Sequence, residues 1–133
     1  DADALVWGKL IVNVGINALA ALLRVPNGVL AAEPACEDLM AQAVAEAVAV
    51  ADARGIVLPY PDPLEHVKAV CRRTAQNRAS MLQDVLRGAP TEVAVINGAV
   101  ARLAGELGLA APANSFLTAL VAALEATAAL RCG

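Results

Sequence analysis

The stretch from Ala4 to Arg24, ALVWGKLIVNVGINALAALLR, interrupts its apolar run at only three interior positions, Lys9, Asn13 and Asn17. Its length without a proline predicts one helix over the whole stretch. Val25-Pro26-Asn27-Gly28 then stops it, because Pro26 removes a donor and Asn27-Gly28 is turn chemistry. The i, i+4, i+8 spacing advances about 40° per step, so the three polar residues fall on one slightly winding stripe roughly 12 Å long. Unpartnered amides and an ammonium are costly to bury, so the stripe faces solvent, the polar groups of a partner helix, or a cleft. A solvated stripe is ordinarily built from Glu, Lys, Arg and Gln, whereas each Asn costs roughly half a kcal/mol relative to Ala in mid-helix. Two such residues suggest a task.

Only 2% of the 133 residues are aromatic although 59% are hydrophobic, and much of the apolar count is alanine. Closely packed helices suit that composition better than a sheet does. The length suits one domain with a real core, and a start at Asp1 without Met is expected of a processed or truncated piece. Ten basic against 13 acidic residues give a formal net charge of -3, with no basic cluster beyond Cys71-Arg72-Arg73, which argues against binding nucleic acid through its phosphates. A mean hydropathy of +0.60 makes a membrane the more serious question. Yet the most apolar segments, LIVNVGINALAALL and FLTALVAALEATAAL, are broken by Asn or Glu before reaching the about 20 apolar residues of a spanning helix, and nothing reads as a signal peptide. Cys36, Cys71 and Cys132 are odd in number and far apart, which fits small buried thiols in a reducing cytoplasm better than disulfides or a CxxC metal site. His66 is the one histidine, so a metal centre or a Ser-His-Asp triad is hard to build, and a surface position on a helix is expected for it.

A second helix is expected from Glu33-Pro34 to Gly55, with Leu39, Ala43, Ala47 and Val50 recurring at three- and four-residue steps. Pro59, Pro61 and Pro63 make an extended connection. Asp62-Pro63-Leu64-Glu65 then supplies an N-cap, a proline at the first helical position and an acid at N3, opening a third helix that runs to about Asn77. RASMLQDVLRG continues as a shorter or bent helix to Arg87, and Gly88-Ala89-Pro90 breaks the chain. A helix from Thr91 is expected to turn Val93, Ile96, Val100, Leu103 and Leu107 inward, and the last helix spans Pro112 to about Leu130. With no βαβ alternation and no GxGxxG, the fold class is all-α, a helical bundle without its own dinucleotide platform.

Two more polar islands accompany the Lys9 stripe. Asn77 and Ser80 are three apart and can share a helix face, while Thr91 and Glu92 stand in the first turn of an expected helix, whose partial positive end stabilises a carboxylate. Ser80 and Thr91 also read as ordinary caps, and Glu92 as an ordinary first-turn acid.

Three blocks in order resemble the C-terminal, substrate-binding domain of the ketopantoate reductase (2-dehydropantoate 2-reductase) family. They are WGKLIVNVGINALAALLRVPNG from Trp7 to Gly28, TAQNRASMLQDVLRGAPTEVAVINGAV from Thr74 to Val100, and GLAAPANSFLTALV from Gly108 to Val121. Lys-x3-Asn-x3-Asn, Val-Pro-Asn-Gly, Asn-x2-Ser-Met-x-Gln-Asp and Thr-Glu carry the resemblance across nearly the whole chain. It implies a bundle similar to the helical domain of the 6-phosphogluconate dehydrogenase group. It also implies a part in the NADPH-dependent reduction of ketopantoate to pantoate, on the route to pantothenate and coenzyme A.

Under that resemblance Lys9 supplies the proton as hydride reduces the keto group, and Asn13 and Asn17 line the cleft and hold substrate or the lysine. Asn27 supports the site, Asn77 and Ser80 bind the carboxylate and hydroxyl end of the substrate, and Glu92 accepts a hydrogen bond from a substrate hydroxyl. The residue types suit these roles. An ammonium within reach stabilises and then protonates a developing alkoxide, and a carboxylate that binds a hydroxyl discriminates against analogues lacking it.

The chain departs from the family pattern in two places. NALAALL stands where Pro or Thr often follows the second asparagine, which changes packing more than chemistry, and NRAS replaces a more usual double serine, leaving Ser80. The resemblance also implies an N-terminal Rossmann domain that holds NADP; it is absent from this chain, so residues 1–133 are expected to be an isolated substrate-binding and catalytic-lysine domain that is inactive alone. A homodimer is expected, and no metal.

Two functions stay open. The chain is the catalytic-lysine half of a ketopantoate reductase or of another 2-keto acid reductase, or it is a non-catalytic dimerisation domain that keeps an old site as a relic. The small-residue faces near NGAVARLAGELG serve either one.

Overall fold

The computed structural model describes residues 1–132. Among them the helices are α1 (Ala2–Leu23), α2 (Asn27–Ala32), α3 (Pro34–Ala53), α4 (Pro63–Arg73), α5 (Ser80–Arg87), α6 (Asn97–Glu106) and α7 (Pro112–Ala126), with 3-10 turns at Val93–Val95 and Ala128–Leu130. No strand occurs among the described residues, as the alanine-rich, aromatic-poor composition predicts.

The long apolar helix is the axle of the bundle. α1 packs against α2, α3, α4, α5 and α7, burying Ile11, Val14, Leu19 and a run of small residues from Ala18 to Ala21. Each buried Leu, Ile or Val stabilises the fold by roughly 2 kcal/mol. The missing side chain of Gly15 allows the closest approach: a Cβ there would lie 2.8 Å from Val67 of α4 and 3.1 Å from Val44 of α3. By length and composition α1 matches a membrane span, but 61% of its most apolar window is buried inside the bundle. It starts earlier than Ala4 because the Asp1 carboxylate accepts the Asp3 N–H at 3.0 Å, and it ends at Arg24 in the left-handed region (φ 56°).

Local signals mispredict several element bounds where distant segments intervene. Asn27-Gly28 opens α2 instead of a plain turn, because the Asn27 and Gly28 N–H groups donate to the carbonyls of Asn77 (3.0 Å) and Ala75 (3.1 Å). A Cβ on Gly28 would sit 2.7 Å from that of Ala75, so only glycine permits this approach. The same pairing draws residues 74–77 away from α4, which ends at Arg73 and not at Asn77. In α3 the inward face includes Met40, while Leu39 is exposed. The helix expected from Thr91 is broken at Ile96 (φ -107°, ψ -90°) and starts only at Asn97, which leaves Leu103 half-buried and Leu107 exposed. α7 ends at Ala126, short of Leu130.

A polar cluster ties four helices together. Asn97 of α6 donates to the Val14 carbonyl of α1 (3.3 Å) and to Asn114 Oδ1 (3.0 Å), and Asn114 of α7 donates to the Ala43 carbonyl of α3 (3.0 Å). Glu46 of α3 caps α7, accepting the N–H groups of Ala113 and Asn114, each at 2.9 Å, and the Asn114 side-chain amide as well. Of the three cysteines only Cys71 is the buried thiol expected, with burial pushing its pKa up to about 11. Cys36 is half-buried and Cys132 exposed.

Candidate functional site

The polar stripe of α1 does not keep to one environment. Lys9 and Asn13 are exposed, whereas Asn17 retains 6% exposure, because the winding of the stripe totals about 80° by the third residue and carries it under α5. Asn17 Nδ2 donates to Asn13 Oδ1 at 3.2 Å, and the Ser80 hydroxyl donates to Asn17 Oδ1 at 3.5 Å, so α1 and α5 are joined by a loose polar line. Lys9 forms no ion pair among the described residues.

Two cavities flank this line. One of about 420 Å³ is lined by Lys9 and Asn13 together with Leu5, Val12, Tyr60 and His66. The other, about 290 Å³, is lined by Ser80, Met81, Asp84, Pro90, Glu92 and Ile96. Lys9 and Glu92 thus belong to separate cavities, with Asn13, Asn17 and Ser80 running between them.

Glu92 does not occupy the first turn of an α-helix. It immediately precedes the three-residue 3-10 turn (φ -94°, ψ 21°), too short a helix to supply a useful dipole, and its exposed carboxylate has no ion-pair partner among the described residues. The neighbouring Thr91 fixes this turn. Its hydroxyl donates to Glu125 of α7 (2.8 Å) and accepts the Val93 N–H (3.2 Å), and its own N–H donates to Glu125 (3.3 Å). Thr91 is nevertheless not the N-cap its local sequence allows: that position is Glu92, without a side-chain bond, and Thr91 braces the turn from one residue before it. Nor is Ser80 an N-cap. The N-cap of α5 is Ala79, and the hydroxyl of Ser80 is turned to Asn17.

Asn77 and Ser80 do not share a helix face, since Asn77 lies in the turn before α5, exposed, with its carbonyl accepting from Asn27. Asn27 is buried on α2. Its amide donates to Thr74 Oγ1 at 3.0 Å, and the Thr74 hydroxyl in turn donates to the Val70 carbonyl at 2.7 Å, so Asn27 braces the segment leading to Asn77 and Ser80.

Tyr60 and His66 escape the local reading. His66 is half-buried, not a free surface residue, and its ring stacks on Tyr60 with centroids 4.0 Å apart at 10°. The Tyr60 hydroxyl donates to the Gly8 carbonyl at 2.8 Å, and burial raises its pKa above 10.0, so it stays protonated and able to donate at neutral pH. The three alternating prolines were the available signal, since an extended segment between two helices has to lie across something.

No group of three or more His, Cys, Asp or Glu placed to hold a metal occurs among the described residues. With no strand among the described residues, no glycine-rich strand-to-helix turn for a dinucleotide's phosphates occurs among them either.

The family model described as "Ketopantoate reductase PanE/ApbA C terminal" matches residues 1–125. The 2-dehydropantoate 2-reductase of Pyrobaculum aerophilum is 41% identical over 125 residues, covering 94% of this chain and 44% of the relative. Among solved structures, the PanE/ApbA family ketopantoate reductase of Ralstonia eutropha JMP134 superposes with a TM-score of 0.88 at 33% identity, over 95% of this chain and 42% of that one. D-mandelate dehydrogenase, in a ternary structure with NADH and anilino(oxo)acetate, gives 0.86 at 30% identity, over 94% of this chain and 70% of that one. The chain spans less than half the length of the two reductases. A match that runs from the first residue to most of α7, with the same all-helical architecture, leaves one conclusion: this chain belongs to the ketopantoate reductase family of oxidoreductases, as its C-terminal domain.

Proposed function

We propose that this chain supplies the proton donor and the substrate contacts of an NADPH-dependent reductase that converts ketopantoate to pantoate, acting with a separate dinucleotide-binding domain. The observation that carries the reading is the loose line Asn13–Asn17–Ser80, which links the Lys9 cavity to the Glu92 cavity in a member of this family. A nicotinamide held by a separate domain would supply the hydride. Reduction leaves negative charge on the former carbonyl oxygen, and the Lys9 ammonium stabilises that charge and transfers a proton to it. Asn13 and Asn17 orient substrate and lysine without locking the ammonium in an ion pair. Ser80 and Asn77 serve the carboxylate and hydroxyl end, with Asn27 bracing the segment that bears them, and Glu92 accepts the substrate hydroxyl. The three free thiols suit a cytoplasmic location. The exposed Phe116 and Leu120 of α7, beside Leu39 of α3, support self-association through that face.

The likeness to D-mandelate dehydrogenase favours a second reading, reduction of another 2-keto acid with NADH as donor. Steady-state NADPH and NADH oxidation by the intact two-domain enzyme, with ketopantoate and phenylglyoxylate, separates the two. Turnover of ketopantoate with NADPH is the expected result, and no turnover of it with either nucleotide sinks the first reading. These 133 residues alone are expected to give no oxidation above a blank.

A further inference from the structure

We propose that Tyr60 and His66, stacked and held on α1 beside Lys9, are the specificity wall of the Lys9 cavity and receive the hydrocarbon side chain of a 2-keto acid. The proposal rests on the reductase reading and adds to it a subsite formed by neither the asparagines nor Glu92.

The wall is built, not incidental. After α3, Pro59 and Pro61 hold the chain extended, because each fixes its own φ and biases the residue before it away from helix. That strap lies flush on α1 at the residue preceding Lys9: a Cβ on Gly8 would come within 2.8 Å of Pro59 Cγ and 3.2 Å of its Cδ. The Tyr60 hydroxyl pins the strap by donating to the Gly8 carbonyl at 2.8 Å. From the other side His66 arrives on α4, one residue before the fully buried Val67, and lays its ring parallel to that of Tyr60 at 4.0 Å. Two helices and a proline strap therefore hold one aromatic surface.

The cavity offers two chemistries. Lys9 and Asn13 contribute an ammonium and an amide to the lining, and Leu5, Val12, Pro59 and the two rings contribute mostly carbon. A 2-keto acid with a branched or aromatic body matches both, with its keto oxygen toward Lys9 and its hydrocarbon against the rings. Glyoxylate, which has no hydrocarbon side chain, matches only the polar part. The volume of about 420 Å³ leaves room for such a body.

The test is a substrate panel on the intact two-domain enzyme: ketopantoate, phenylglyoxylate and glyoxylate, with the parent, Tyr60→Ala, His66→Ala, and the ring-preserving Tyr60→Phe and His66→Phe. The readout is the ratio of kcat/KM for the better of the two bulky acids to kcat/KM for glyoxylate; absolute rates are free to move. The alanine variants should lower that ratio about tenfold, the scale set by losing part of an apolar pocket. The phenylalanine variants should keep it within about twofold, so the proposal stays testable even if an alanine variant folds poorly. A ratio unchanged in the alanine variants, or both acids falling in the same proportion, overturns the wall while leaving the reductase reading intact. A parent that reduces none of the three acids overturns the reductase reading and the wall with it.

Discussion

Asparagine stands in two different settings in this molecule, and both touch α1. In the cluster at the junction of α1, α3, α6 and α7, Asn97 and Asn114 are fully buried and bonded to main-chain carbonyls, to each other and to Glu46 at 2.9 to 3.3 Å. On the other side of α1, Asn13, Asn17 and Ser80 are held at 3.2 and 3.5 Å, with Asn13 and Ser80 exposed. Amides sealed from water must find partners within the protein, so the first group locks four helices together. Exposed polar groups lose little when they exchange a protein partner for water, so Asn13 and Ser80 are held less firmly than the buried pair. Residue type alone does not separate the two groups; the number and length of their hydrogen bonds do, although the buried Asn97 Oδ1 itself accepts none.

The sharpest way to break this comparison is Asn114→Ala. The change removes the bonds to Ala43 and Glu46 and strips Asn97 of its side-chain acceptor, so urea unfolding should show a loss of about 3 kcal/mol. Asn17→Ala in the same assay should cost about 1 kcal/mol or less, and equal losses would abolish the distinction. Next in size, Lys9→Ala in the intact enzyme should lower kcat roughly a hundredfold or more with cofactor affinity and stability nearly unchanged, because the contact strengthens in the transition state. A kcat within about threefold of the parent removes Lys9 as the proton donor. Glu92→Gln should act mainly on KM, raising it roughly tenfold for ketopantoate and far less for an analogue without the hydroxyl; equal effects on both would deny Glu92 its substrate contact.

The smallest effect concerns the buried thiol of α4. The pKa of Cys71, pushed up to about 11 by burial, leaves the thiol protonated at pH 8, and its reactivity should rise only as pH nears that value. Iodoacetamide at pH 8 should therefore modify the exposed Cys132 first and Cys71 only on unfolding. Early labelling of Cys71, followed by mass spectrometry, would show that this part of the bundle opens.

The helical class and the starts of α3, α4 and α7 were legible from local chemistry. Asp62-Pro63 caps α4 as its sequence demands, with the Asp62 carboxylate accepting the Glu65 N–H at 3.1 Å, and Gly88 ends α5 in the left-handed region (φ 71°). The candidate site is readable along the chain as a list of polar residues, but not as a shape. Lys9, Asn13 and Asn17 look equivalent along the chain, yet only Asn17 is buried, because α5 covers that part of the stripe. Glu92 reads as a helix start, but α6 waits until Asn97.

What the sequence by itself determined is what neighbours along the chain can settle: helix against strand through alanine content and apolar spacing, and helix ends through Pro, Gly and capping acids, since these act over one or two turns. Tertiary structure alone decided which polar residues meet. Residues 74–77 leave the helical path because α2 offers N–H donors to their carbonyls, and Tyr60 reaches the Gly8 carbonyl from beyond α3. Such contacts depend on how closely distant backbones approach. At Gly8, Gly15 and Gly28 that approach is permitted by a missing Cβ, whose consequence appears only once the partner segment is in place.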